Sequence, residues 1–190
     1  MGREYELKFS ALPEQLEAIA ASLSGSERIT METTYYDTPD GALSARRITL
    51  RRRMENGRSV CTVKAPAADG SRGEWETECG DIRESIDILC KLGAPEALLG
   101  LSGLTEVCGA RFTRRAYPVS FGQSVLEVAL DRGILTGGGR EIPLYEVEVE
   151  LKTGTDADAD RYAAALAGQF GLSPEPKSKF RRALDLAKGE

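Results

Sequence analysis

The sequence predicts an α+β protein: an antiparallel sheet or barrel carrying peripheral helices. Extended segments come mainly in adjacent pairs, with few helical stretches between them. Along those segments charged and apolar residues alternate with the two-residue period of a strand. Size agrees with a single domain over residues 1–190, since the chain is 41% hydrophobic and 29% charged and is long enough to bury a sizeable core.

Taken in order, residues 4–8 (EYELK) read as a first strand. Residues 12–23 have helical spacing of apolar positions, with Ser10 as cap and Pro13 in the first turn. Residues 30–38, rich in threonine and tyrosine, read as a strand. Residues 48–55 and 58–65 form a hairpin about an Asn56-Gly57 turn, and 74–79 is a further strand. Residues 81–92 and 95–101 read as helices or helical turns ended by Gly93 and Gly103. Strands resume at 105–121, 124–131 and 143–152, with a glycine-rich turn at 137–139. Residues 156–170 are helical, and their DADAD start places acids at the positive end of the helix dipole. Residues 179–187 form a last short helix.

Composition removes several kinds of chemistry. There is no histidine, so Ser-His-Asp and Cys-His catalysis and histidine-containing zinc sites are excluded. Cys61, Cys79, Cys90 and Cys108 are too widely spaced for a CxxC pair and read as free thiols. A net charge of −5 argues against a uniformly basic nucleic-acid surface. No apolar run approaches the roughly 20 residues of a membrane span, and the N-terminus begins with acidic, strand-like sequence. The expected compartment is the cytoplasm, with no membrane or nucleic-acid partner, and the sequence leaves room for a homodimer.

The charges then have to be assigned to faces. Glu4, Glu6 and Lys8 share one side of the first strand, with Tyr5, Leu7 and Phe9 on the other. One such strand is ordinary, but the pattern recurs at Arg51 and Arg53, at Thr62 and Lys64, at Glu74 and Glu76 around Trp75, at Glu127 and Asp131, and at Glu146, Glu148 and Glu150. Three like charges in YEVEVEL repel one another unless a divalent cation holds them, and oxygen-only ligands select magnesium, manganese or calcium. The basic strands would be relieved by a polyanion. If the strands close around one interior, that interior suits metal-bound phosphate.

The chain resembles the CYTH, or triphosphate tunnel metalloenzyme, superfamily. The resemblance rests on Glu4-Tyr5-Glu6-Leu7-Lys8 as the family's ExExK, supported by TYYDTPDGAL, LRRR, TVKAP, GEWETE, FTRRAY, VLEVALDRG, EVEVEL and PKSKFRRAL in order along nearly the whole chain. It implies a closed antiparallel eight-stranded barrel, the triphosphate tunnel. It implies Mg2+ or Mn2+ held by Glu4, Glu6, Asp131 and two of Glu146, Glu148 and Glu150, with Glu148 shared by both choices. Lys8, Arg51, Arg53, Lys64, Arg114 and Lys179 would hold phosphate, and Glu4, Glu6, Lys8, Asp131 and Glu148 would form the catalytic set. Arg115 neighbours Arg114 on the other face, so a one-residue slip would exchange them. Glu74, Glu76 and Glu127 fit inward positions either as direct participants or as ion-pair partners. Tyr36 and Asp37 fit either the tunnel rim or a turn, and Trp75 fits the core. The implied activity is hydrolysis of inorganic triphosphate, with thiamine triphosphate hydrolysis, class IV adenylyl cyclase activity or non-catalytic polyphosphate or nucleotide binding as alternatives.

Overall fold

The computed structural model describes residues 2–3, 5–66 and 72–190. Its strands are β1 (Gly2–Arg3), β2 (Glu6–Ser10), β3 (Glu27–Asp37), β4 (Thr49–Glu55), β5 (Arg58–Pro66), β6 (Arg72–Glu78), β7 (Thr105–Phe121), β8 (Ser124–Gly137), β9 (Arg140–Thr153) and β10 (Ser173–Pro174). The helices are α1 (Pro13–Ser22), α2 (Ala42–Ala45), α3 (Ile82–Lys91), α4 (Asp156–Phe170) and α5 (Lys179–Lys188), with a 3-10 turn at Glu96–Leu98.

All the strands join one antiparallel sheet in the order β1-β6-β5-β4-β3-β7-β8-β9-β2-β10. This corrects the expectation of a closed eight-stranded barrel. The sheet has ten strands, and among the described residues no ladder joins β1 to β10. The N-terminal stretch is divided, with β1 paired to β6 and β2 paired to β9. The end strands are two residues long, and Pro174 has no N–H to extend a ladder. The α+β class stands, and the open sheet curls enough for strands from both of its halves to line one cavity.

The two faces of the sheet follow the strand period. On the outer face, Phe9, Leu126, Val128, Leu130, Val147 and Val149 pack under α1 and α4, and Leu50, Val63 and Trp75 pack under α3. On the inner face, α5 seats Ala183 and Leu184 on Met31, Phe112, Leu135 and Leu144, which fills one end of the interior. Each fully buried Leu, Val or Phe contributes about 1.5–3 kcal/mol, so the packed helices rather than closure hold the curl.

Local chemistry accounts for the boundaries. Asn56 and Gly57 both take positive φ, 48° and 88°, as a tight hairpin turn requires. Helix α1 starts from Leu12, not Ser10, because Gln15 Oε1 reaches back to accept from the Leu12 N–H at 2.7 Å. The strand expected to end at Asp131 runs on to Gly137, where the long hairpin with β9 carries it. The helix or helical turn expected at 95–101 is the 3-10 turn Glu96–Leu98. Short α2 lay outside the sequence reading, and the Asp37 carboxylate organises it. That carboxylate accepts from the Thr38, Leu43 and Ser44 N–H groups at 2.8, 2.9 and 3.0 Å.

Candidate functional site

The concave face carries a cavity of about 410 Å3. Its lining includes Glu6 and Lys8 from β2, Arg51 and Arg53 from β4, Lys64 from β5, Arg114 from β7, Glu148 and Glu150 from β9, and Lys179 at the start of α5. The ladders explain the convergence, because Lys8 lies opposite Glu148 and Glu6 opposite Glu150. Glu4, expected beside them, lies outside the described residues.

Beneath the cavity lies a buried ionic cluster. Asp131 and Glu146 are both 0% exposed, and with Glu148 they bring carboxylate oxygens within 4.8 Å of one another. Arg114 donates to both oxygens of Asp131 at 2.8 Å and also pairs with Glu148. Lys179 Nζ stands among all three acids, 2.8 Å from Asp131 and 2.6 Å from Glu148, and bonded to Glu146. Arg182 Nη2 donates to Glu146 at 2.5 Å. Of the three glutamates in YEVEVEL, Glu146 is in the cluster, Glu150 faces the cavity, and Glu148 does both.

These observations coincide with a match between residues 2–184 and the CYTH domain model. The chain belongs to the CYTH domain family. An inorganic triphosphatase of Haemophilus influenzae is 29% identical over 191 residues, which cover 96% of this chain and 54% of that protein. This CYTH chain therefore spans about half the length of that relative. A human thiamine-triphosphatase is 30% identical over 193 residues, covering 94% of this chain and 74% of that protein. Among solved structures, a Hippeastrum adenylyl cyclase candidate described as having a dominant triphosphatase activity has a TM-score of 0.65 at 20% identity, covering 98% of this chain and 96% of that one. At that identity the likeness shows the fold alone.

Within the CYTH chain, burial and charge set the protonation of the cluster. Burial pushes the Glu146 carboxyl up to about 7, with Lys179 opposing and Glu148 adding to the rise. Burial also acts to raise Glu148, but Lys179 and Arg114 outweigh it and hold that carboxyl well below the usual range. For Lys179, burial alone would lower the ammonium, and Asp131, Glu148 and Glu146 instead keep it firmly protonated. Burial brings Arg53 down to about 10, with neighbouring Arg51 contributing, so it remains a cation at neutral pH.

The donor set fits a hard divalent cation, being three carboxylates and no sulfur or nitrogen ligand. Lys179 Nζ already stands among those oxygens, so a cation entering there requires it to withdraw.

Several single residues find definite places. Arg114 faces inward opposite Asp131, whereas Arg115 lies on the other face and pairs with Glu17 of α1 at 3.1 Å. Glu74 and Glu76 line the cavity and also sit 3.6 Å from Arg51, with Glu74 3.3 Å from Lys64. Glu127 lines the cavity too. Asp37 is spent on α2, Tyr36 packs in the outer core, and Trp75 packs beneath α3. Sequence reasoning missed Arg182, Arg72 and the buried threonines Thr33 and Thr49. Arg182 was within reach, because it lies three residues after Lys179 and so shares its helix face. The threonines give no charge signal.

Proposed function

We propose that this chain hydrolyses inorganic triphosphate to diphosphate and orthophosphate with Mg2+ or Mn2+, residues 1–190 acting as one domain. The observation that carries the reading is the cavity lining, which brings Lys8, Arg51, Arg53 and Lys64 together with Glu6, Glu148 and Glu150 around one space. The cations suit a linear polyanion, and the carboxylates suit its counter-ion.

A bound divalent cation would supply charge neutralisation and a more acidic water. Glu6, Glu148 and Glu150, with Glu4 and the buried Asp131 and Glu146, are the groups proposed to hold it. The protein's own part is positioning. Arg51, Arg53, Lys8 and Lys64 offset charge on the phosphate oxygens, and the planar guanidiniums each engage two of them. Arg114 and Lys179 are committed to the acidic cluster, so they fix its geometry and meet phosphate only as that cluster rearranges.

Thiamine triphosphate is the second reading, favoured by the human relative. Among the described lining residues, the aromatic rings are Tyr35 and Phe180, which pack against each other at a 46° tilt with centroids 5.1 Å apart. Tyr35 is only 3% exposed. Tyr35 thus offers a heterocycle no open ring face, and the predominantly charged lining favours the all-phosphate substrate. The test is phosphate release from triphosphate, thiamine triphosphate, ATP and longer polyphosphate, each with magnesium and with manganese. Highest kcat/KM on triphosphate is expected, and release only from ATP or thiamine triphosphate sinks the proposal.

A further inference from the structure

We infer that Thr33 is a positioning residue for the substrate, its hydroxyl aiming the Arg53 guanidinium into the cavity. The inference rests on the triphosphatase reading and adds a residue to it.

Thr33 lies on the concave face of β3, directly opposite Arg53 in the ladder with β4. It is 2% exposed, and its Oγ1 accepts from Arg53 Nε at 3.0 Å. A valine would fill the same space with similar strand propensity, and a buried hydroxyl is costly without a partner. The bond to Arg53 is what gives the hydroxyl a place.

Arg53 needs such a partner because it is weakly paired for so buried a cation. Its ion pair among the described residues is with Glu55 at 3.5 Å, and the Phe112 ring lies 5.9 Å from its carbon centre. Arg114 offers the contrast, being held by two carboxylates. With Nε tied to Thr33, the two terminal nitrogens of Arg53, one of them 3.5 Å from Glu55, form the fork that engages two oxygens of one anion. Burial lowers Arg53 only to about 10, so the fork stays charged.

The same device recurs nearby. Thr49 Oγ1 accepts from Arg72 at 2.9 Å, and Thr62 Oγ1 donates to Glu76 at 2.9 Å. Both threonines are buried, and both partners line the cavity. Buried hydroxyls on three neighbouring strands, β3, β4 and β5, thus orient charged side chains on β4 and β6.

The experiment is a double-mutant cycle on triphosphate turnover with Thr33→Val, Arg53→Ala and the pair, together with Thr33→Ser. Losing one hydrogen bond to a charged group predicts a rise in KM of about tenfold for Thr33→Val, with kcat changed less than about threefold. Thr33→Ser keeps the hydroxyl and should stay within about threefold of wild type in KM. In the Arg53→Ala background, Thr33→Val should add less than about twofold. Wild-type KM in Thr33→Val overturns the inference, as does an equal loss with and without Arg53, which would mark a general packing effect. If Thr33→Val does not fold, Thr33→Ala goes through the same cycle under the same criteria. Wild-type protein tests the triphosphatase reading separately. If it binds triphosphate without releasing phosphate, that reading falls, and the cycle is read on calorimetric affinity instead. If it does not bind triphosphate, both fall.

Discussion

Lys179→Met removes the ammonium around which Asp131, Glu146 and Glu148 are gathered, while keeping much of the side chain's apolar volume. Breaking a buried ionic arrangement by removing one partner costs about 3–5 kcal/mol, since the remaining charges stay desolvated. For a domain of this size each kcal/mol shifts the melting temperature by about 2–4 °C, so the variant should melt about 6–20 °C below wild type. Three acids deprived of their internal cation are also a better divalent site, so magnesium should raise the melting temperature of the variant by more than that of wild type. The assay is scanning calorimetry of both proteins, with and without saturating magnesium. Lys152→Met is the control, because Lys152 pairs with Glu150 at 3.0 Å but is 44% exposed, where an ion pair contributes at most about 1 kcal/mol. If Lys179→Met melts within about 2 °C of wild type, or gains no more from magnesium, the ammonium is not what organises the acidic cluster.

Glu6→Gln removes a ligand charge from a cavity-facing position outside the apolar core. It should lower kcat by about a hundredfold or more in excess magnesium or manganese and leave the melting temperature nearly unchanged, and wild-type turnover would remove Glu6 from the site. Arg51→Lys exchanges a planar fork for a point charge where Nε is buried without a hydrogen-bond partner among the described residues, so KM for triphosphate should rise about tenfold. Unchanged kinetics would show that Arg51 does not meet substrate. Asp158 accepts from Ser124 Oγ at 2.6 Å and from Arg161, and these bonds, Ser124 first, depress its carboxyl. A depressed carboxyl stabilises the fold above its unfolded value near 4, and that stability is lost as pH falls through the lower folded value. Asp158→Asn should therefore weaken the fold at neutral pH and flatten its loss of stability below about pH 4, as followed by thermal melts across pH.

The alternation of charge and apolar residues was enough to sort faces. It put Glu6, Lys8, Arg51, Arg53 and Glu148 on one surface and Trp75, Val147 and Val149 on the other, because the strand period is a local property of the chain. Depth is not local. Asp131 and Glu146 share that face with Glu150, yet they lie under α5, so their burial depends on a helix that follows them by some 30 residues or more. Closure failed for a related reason: it depends on which edges pair, and two-residue strands at both ends carry no pattern long enough to read. Thr33 was invisible because a strand threonine fits equally well at a surface, in a core or beneath an arginine.

The split pairing of the N-terminal segment also bears on how the chain folds. Lys8 and its ladder partner Glu148 lie about 140 residues apart in sequence, whereas the β3–β4, β4–β5 and β7–β8 hairpins close over short spans. Loop-closure entropy favours those hairpins forming first, with β2 joining the sheet after β9 is in place. During synthesis the strand bearing Glu6 and Lys8 emerges well before β9 and must wait for it. Until it docks, the β9 edge is an unpaired template for other chains, and three inward glutamates along that strand supply the like-charge repulsion that deters a second copy from pairing there.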